Sequence, residues 1–199
     1  MEGKQKRFVL VTGGARSGKS AFAERLAAQS GKKVIYLATA TVEDPEMALR
    51  VERHRRRRPP DWETVEEPLA AAEVIARAGA PDRLILVDCL SLFLGNHLRQ
   101  AGGFFGGGQE DFSAEEEERV LRACEGLAGA IASSPADVVV VTNEVGWGLV
   151  PPYPSGRIYR DLLGAANQRL AAVADEVYLV VCGLPVEIRS LAAKLKRQG

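Results

Sequence analysis

Residues 9–24 read VLVTGGARSGKSAFAE and restrict the possible fold more than any other stretch. The run before the glycines, Phe8–Thr12, is short, apolar and β-branched, which predicts a buried strand. Ser17–Ser30 has a helical pattern that ends at Gly31. The turn between them, GGARSGKS (13–20), fits the pattern GxxxxGK[ST]. In that setting, backbone N–H groups and the positive end of a helix surround phosphate oxygens, so the stretch predicts a phosphate-binding P-loop.

Two further residue types in and beyond this turn point to a nucleoside triphosphate with magnesium. Lys19 can reach the β- and γ-phosphates, and the Ser20 hydroxyl can ligate Mg²⁺. Asp88 follows the apolar run Leu84–Val87, at the strand end where P-loop proteins hold Mg²⁺. The alternative is that Asp88 caps the predicted helix Leu90–Gln100. We favour the metal role, and these residues alone leave the reaction open.

Apolar runs alternate with helical patterns along the whole chain, which predicts a parallel sheet flanked by helices. The predicted strands are 8–12, 34–38, 63–67, 84–87, 138–141 and 177–181. The predicted helices are 17–30, one that Asp44 caps and Pro59 ends, 69–77, 90–100, 113–132 and 157–174. We expect loops at 101–112 and 151–156, and one domain over residues 1–199.

Composition excludes several classes of protein. The formal net charge is zero, so no overall field attracts nucleic acid or an anionic membrane. The three cysteines are far apart, which argues against a zinc site or a disulfide framework and fits a reducing cytosol. We expect neither a membrane span nor a signal peptide, because the apolar run after the basic start is too short.

The stretch ALRVERHRRRRPP (48–60) has two interpretations. On the first, its arginines form the solvated face of a helix and His54 lies on the helix surface. On the second, the arginines clamp a triphosphate and stabilise charge that develops during transfer. A neutral imidazole is then a competent nucleophile at phosphorus.

Together these motifs resemble the bifunctional adenosylcobinamide kinase/adenosylcobinamide-phosphate guanylyltransferase family of cobalamin biosynthesis. The similarity covers nearly the whole chain and lies in separate motifs in the same order. The motifs are VTGGARSGKS (11–20), YLATA (36–40), the histidine segment from Glu46 to Trp62, Asp88 with Asn96, VVVVTNEVGWGLVP (138–151) and RDLLGAANQRLAAVADEVYLVVCGLP (160–185).

The resemblance implies two reactions at one nucleotide site. GTP or ATP phosphorylates adenosylcobinamide, and GTP then guanylylates His54, which passes GMP on to give adenosylcobinamide-GDP. Lys19 is implied as a catalytic residue, and Ser20 and Asp88 as the Mg²⁺ ligands. The implied nucleotide contacts are Gly13, Gly14, Ala15, Arg16, Ser17, Gly18, Lys19, Ser20, Ala38, Thr39, Ala40, Arg55, Arg56, Arg57, Arg58, Glu66 and Asp88. The implied fold is a RecA-like P-loop α/β sheet, assembled as a homotrimer, and the cysteine usage predicts a cytoplasmic location.

The residues leave three rival functions open. A small-molecule kinase without nucleotidyl transfer would not need His54. A RecA-like module that binds nucleic acid would use ERHRRRR as a basic patch, and the zero net charge counts against it. A nucleotide-dependent switch protein would carry a guanine-reading N-K-x-D motif, which we do not find. Asn143 and Glu144 are either site residues or a hydrogen-bonded loop pair.

Overall fold

The computed structural model describes residues 6–41, 45–101 and 112–193. These residues form a seven-stranded sheet with helices on both faces. In chain order the elements are β1 (Phe8–Thr12), α1 (Lys19–Gln29), β2 (Lys33–Ala38), α2 (Pro45–Arg57), β3 (Glu63–Glu66), α3 (Ala71–Ala78), β4 (Arg83–Asp88), α4 (Leu90–Gln100), α5 (Ala114–Ser133), β5 (Asp137–Val141), α6 (Pro154–Val173), β6 (Glu176–Val181) and β7 (Leu184–Glu187).

The strand order is β3-β2-β4-β5-β1-β6-β7, and only the β6–β7 pair is antiparallel among the strands of the described residues. This arrangement confirms the predicted P-loop α/β fold with a mostly parallel sheet. One strand, β5, separates β1 from β4. In the sheet register, Val11 pairs with Val141, and Val141 pairs with Asp88. The residues that follow β1 and β4 therefore lie close together at the carboxyl ends of the parallel strands, which form one edge of the sheet.

The sheet is buried on both faces, as the continuous apolar strands predict. In β1, Leu10 packs into the core beneath α3, α4, α5 and α6, whereas Val9 and Val11 face α1. Successive side chains of a strand point to opposite faces, and this alternation divides the core in two. Within the described residues, no helix combines the length and the apolar character that crossing a membrane requires.

The structure differs from the sequence-based assignment at two places. A seventh strand, β7, follows β6, which we had predicted to be the last strand. Its sequence LPVE is mostly exposed and contains Pro185, and both features weaken a strand signal. The predicted loop 151–156 is also partly wrong, because α6 begins at Pro154. Proline is well tolerated in the first turn of a helix.

Two other predictions fall on residues outside the described ranges. Asp44, the predicted cap of α2, is one of them. Most of the predicted loop 101–112 is the other.

The β6–β7 hairpin generates a pH prediction. The carboxylate of Glu187 accepts hydrogen bonds from the backbone N–H groups of Val177, Arg189 and Ser190. Hydrogen bonds with the Ser190 side chain and with these N–H groups lower the pKa of Glu187 from 4.5 to about 2. A depressed carboxyl pKa contributes stability above the unfolded-state value, and this contribution is lost as the pH falls from 4.5 toward about 2.

We therefore expect the side-chain carboxyl resonance of Glu187 to titrate near 2 by NMR. Glu187→Gln should flatten the loss of stability between pH 5 and 2, roughly the window set by the two pKa values. The exposed Glu118, whose carboxylate pairs with Arg122 at 2.7 Å on the surface of α5, offers a matched control. A Glu187 titration near 4.5 would contradict the hydrogen-bonded turn.

Candidate functional site

The glycine-rich turn after β1 is held against two other segments of the sheet edge. The Gly183 N–H donates to the carbonyl oxygen of Ser17 at 2.8 Å, and the Glu144 N–H donates to that of Gly13 at 3.1 Å. A Cβ atom added at Gly13 would lie 2.5 Å from the carbonyl oxygen of Val180. Gly18 has φ +96°, and its added Cβ would lie 3.0 Å from the Cα of Gly183. Both positions therefore need glycine, because the turn packs directly on the β6–β7 hairpin.

The helix that follows directs its N-terminus into a cleft. Gly18 is the N-cap of α1 and has no side chain with which to cap the first N–H groups. Lys19 is only 8% exposed, and its Nζ donates to the carbonyl oxygen of Gly14 at 3.2 Å. An N-terminus with uncapped N–H groups and a buried ammonium group is suited to anions.

The cleft beside this N-terminus contains most of the predicted side chains. Its walls come from α1, β2, the C-terminal end of α2 with Arg58, the end of β3, the end of β4 with the start of α4, and the segment after β5. The residues that line it are Lys19, Ser20, Tyr36, Ala38, Ala40, Val51, His54, Arg58, Glu66, Asp88, Cys89, Leu92 and Asn143. The structure thus brings His54 and Asp88 into the same cleft as Lys19 and Ser20.

Asp88 lies in this cleft at the carboxyl end of β4, and we call the part of the cleft around it the acidic end. The Tyr36 hydroxyl donates to its Oδ2 at 2.5 Å. Nδ1 of His54 lies 3.9 Å from the same oxygen. The N-cap of α4 is Cys89, so the alternative of Asp88 as the capping residue is wrong. Burial and the neighbouring Asp88 raise the pKa of Tyr36, which keeps this phenol protonated.

Thr39 fixes the backbone of the Asp88–Cys89 segment. Its N–H donates to the carbonyl oxygen of Asp88 at 3.1 Å. Its hydroxyl accepts from the Cys89 N–H and donates to the Cys89 carbonyl oxygen, both at 2.8 Å. Asn96 donates to the carbonyl oxygen of Thr39 at 2.8 Å. Thr39 is fully buried and supports the cleft wall, and its contact with a nucleotide stays a prediction.

Two arginines of the basic stretch, Arg58 and Arg55, lie at the cleft, whereas Arg56 lies on the outer face of α2. The Arg58 guanidinium lies 3.4 Å from the ring centroid of Tyr36 and donates to Thr64 Oγ1 at 3.3 Å. Arg55 pairs with Glu66 at the rim of the cleft. Arg56 is exposed and pairs with Glu52 on the outer face of α2 at 2.8 Å, which matches the solvated-face interpretation for this residue. The side chain of Arg57 lies outside the described part of the structure.

The remaining predicted residues lie on the turn itself. Gly14, Ala15 and Arg16 are exposed, and Arg16 has φ 57°. Ser17 is partly buried, and its Oγ has no hydrogen-bond partner among the described residues. Gly14, Ala15 and Arg16 thus present polar backbone along the turn, whereas the Ser17 hydroxyl is buried.

Sequence reasoning missed one side chain of this site, Tyr36, and left another, Asn143, undecided. Tyr36 lies within an apolar strand, where a tyrosine usually signals core packing. Asn143 was left open, and it lines the cleft with its Nδ2 donating to Ser91 Oγ at 2.9 Å. Glu144, by contrast, accepts from the Gly146 N–H at 2.8 Å, a local loop bond. Only the folded structure distinguishes the position of Asn143 in the cleft from the local loop contact of Glu144.

A buried strand, a glycine turn on a helix N-terminus, and an acidic residue two strands away define a P-loop nucleotide-binding α/β protein. Comparison with known proteins then narrows the class. The chain belongs to the family described as cobinamide kinase / cobinamide phosphate guanyltransferase, which matches residues 9–188.

Two relatives match this chain over almost their full length. The bifunctional adenosylcobalamin biosynthesis protein CobU of Escherichia coli (strain K12) is 43% identical over 92% of this chain and 99% of the relative. CobU of Salmonella typhimurium is 44% identical over the same shares. Among solved structures, a DnaB-like replicative helicase is similar with a TM-score of 0.48 and 13% identity, covering 89% of this chain and 47% of that chain.

The two glycines of the turn allow a matched test of its packing. Gly13→Ala should lower the free energy of unfolding by about 1–3 kcal/mol, because its methyl group would overlap the Val180 carbonyl. Gly14→Ala should change it by less than about 0.5 kcal/mol, since an added Cβ there meets nothing within 4 Å. Urea unfolding of both variants measures the difference. Equal stabilities would contradict the close contact of the turn with β6.

Proposed function

We propose that this protein phosphorylates adenosylcobinamide with GTP or ATP and then transfers GMP to the product through a guanylyl group on His54. The observation that carries the proposal is the shared cleft, in which His54 lies with Lys19, Ser20 and Asp88. The family and the relatives' description as bifunctional support two reactions rather than one.

In the first reaction, the substrate hydroxyl attacks the γ-phosphorus. The new O–P bond forms as the bond to the β-phosphate oxygen breaks, the nucleoside diphosphate leaves, and the hydroxyl proton is released. The N–H groups of the turn and the Lys19 ammonium bind the phosphate oxygens where negative charge develops. The low exposure of Lys19 keeps its charge in a partly dry environment, where this stabilisation is strong.

In the second reaction, an imidazole nitrogen of His54 attacks the α-phosphorus of GTP. The N–P bond forms as pyrophosphate leaves. An oxygen of the phosphorylated substrate then attacks the same phosphorus, the N–P bond breaks, and the neutral imidazole is regenerated. Arg58 lines the same cleft as His54, and its guanidinium can offset the charge on the α-phosphate. Arg55 holds Glu66 at the rim.

The donor atoms fit a magnesium ion held jointly with the nucleotide. Ser20 and Asp88 supply a hydroxyl and a carboxylate on the walls of one cleft. No group of three or more His, Cys, Asp or Glu side chains among the described residues is arranged to bind a metal by itself. Mg²⁺ typically takes one or two protein oxygens and completes its shell with phosphates and water. When bound, Mg²⁺ would neutralise phosphate charge.

We also propose a homotrimer, as the family resemblance implies, and a cytoplasmic location, which the three widely spaced cysteines favour. Exposed apolar side chains on the segment after β5, Trp147 at 75% and Leu149 at 97%, are suited to a contact between subunits. One chain has a mass of 21.4 kDa. Light scattering on the purified protein should give three times this mass.

The nucleophile can be tested with GTP labelled at the α-phosphate. After incubation with Mg²⁺ and denaturation, we expect acid-labile, alkali-stable label on the wild-type protein, as a phosphoramidate requires. His54→Ala should carry no label and should still phosphorylate adenosylcobinamide. His97→Gln is the matched control, because Nε2 of His97 already bonds to the Leu69 carbonyl oxygen at 3.1 Å. Label on His54→Ala would refute the assignment.

Lys19→Ala should reduce both reactions by roughly 10²–10³-fold, as expected for loss of one preorganised donor to transition-state charge. Separate assays of substrate phosphorylation and protein guanylylation measure this loss. Selective loss of only one reaction would contradict a single triphosphate site.

A further inference from the structure

Tyr36 contacts both halves of the site through different parts of its side chain. Its hydroxyl donates to Asp88 Oδ2 at 2.5 Å, and its ring carries the Arg58 guanidinium at 3.4 Å. The residue is 2% exposed and belongs to β2, which is paired on both sides, with β3 and with β4. A rigid strand thus holds one aromatic side chain between the acidic end of the cleft and the end of the basic helix.

We propose that Tyr36 is a positioning residue for both reactions, through its hydroxyl for Asp88 and through its ring for Arg58 and the adjoining helix. This inference rests on the proposed function, since it assigns Asp88 to the triphosphate and α2 to guanylyl transfer.

The hydroxyl half of the inference follows from the hydrogen bond to Asp88. A carboxylate can rotate about its terminal bond, so one oxygen must be fixed for the other to be aimed. The Tyr36 hydroxyl fixes Oδ2 of Asp88 by donating to it at 2.5 Å. Asp88 is thereby held in one orientation at the end of β4. His54 Nδ1, 3.9 Å from the same oxygen, lies beside this fixed group.

The ring half follows from the contacts of Arg58. This residue directly follows α2, so its position sets where the helix ends. Its guanidinium is held by the Tyr36 ring and by Thr64 Oγ1, and its Nε is buried without a partner among the described residues. A cation over an aromatic face is attracted to the ring and keeps its N–H groups at the edge for other acceptors. The contacts of Arg58 with Tyr36 and Thr64 therefore hold the C-terminal end of α2, and His54 with it, against the cleft.

The two halves can be separated by two variants. Tyr36→Phe removes the hydroxyl and keeps the ring, so it should weaken the acidic end alone. Arg58→Met removes the cation and keeps much of the side-chain length, so it should loosen α2 and take the guanidinium from the α-phosphate, and both effects fall on guanylylation alone. Tyr178→Phe is the matched control for the first variant, since its hydroxyl also donates to a carboxylate, Glu176 Oε2, at 2.7 Å on β6. Arg122→Met, on the surface of α5, is the control for the second.

For Tyr36→Phe we expect kcat of both reactions to fall roughly tenfold while the KM for adenosylcobinamide stays within about twofold. Binding of Mn²⁺ in the presence of the β,γ-imido analogue of GTP, followed by electron paramagnetic resonance, should weaken by about tenfold. This second readout needs no turnover, and a loss of general packing would not change it selectively. Tyr178→Phe should match wild type in all three measurements.

For Arg58→Met we expect formation of guanylylated protein to slow by roughly tenfold or more and phosphorylation to stay within about threefold of wild type. Arg58→Lys, which keeps a cation, should restore part of the lost guanylylation. This arm also tests the ring if Tyr36→Phe fails to fold. Arg122→Met should leave both rates unchanged.

The inference is overturned if Tyr36→Phe retains Mn²⁺ affinity and both rates within about twofold of wild type. It is also overturned if Arg58→Met slows both reactions equally or neither. A wild-type protein that shows no phosphorylation and no guanylylation would instead refute the proposed function, so the two failures are distinguishable.

Discussion

Parallel pairing at the centre of the sheet determines where the chemistry of this protein can occur. β5 lies between β1 and β4, and the register sets Val11, Val141 and Asp88 level with one another. Because parallel strands end at the same edge, the glycine turn after β1 and the carboxylate at the end of β4 meet there. A slip of one residue in either pairing would direct Asp88 to the opposite face of the sheet.

Buried polar contacts then make this edge rigid. Thr39 satisfies the backbone N–H and carbonyl groups of Cys89, and Asn96 satisfies the carbonyl of Thr39. Each of these groups would be costly to bury without a partner, so the network permits few alternative arrangements. The arginine-rich helix is held to the edge at its C-terminal end, by Arg58 on Tyr36 and by Arg55 with Glu66. These contacts fix the position of the basic residues of α2 relative to Asp88.

The sequence predicted the features that depend on local chemistry. The turn 13–20 is recognisable because glycines, a lysine and a serine have fixed spacing between a buried strand and a helix. Asp88 was found because it ends an apolar strand. The strand β7 was missed because its exposed LPVE lacks both alternation and a continuous apolar run. Tyr36 was missed because its partners are distant in the sequence, Asp88 by 52 positions and Arg58 by 22. Long-range pairs of this kind follow from sheet register and leave no periodic signal in the sequence.

The central claim is that a single triphosphate lies within reach of both a substrate hydroxyl and the His54 imidazole. A crystal structure with Mg²⁺ and α,β-methylene GTP tests it most directly, because this analogue cannot release pyrophosphate. We predict the β- and γ-phosphates on the turn 13–20 and an imidazole nitrogen roughly 3–3.5 Å from the α-phosphorus. A triphosphate bound by the turn, with the imidazole of every subunit turned away from the α-phosphate, would contradict the account.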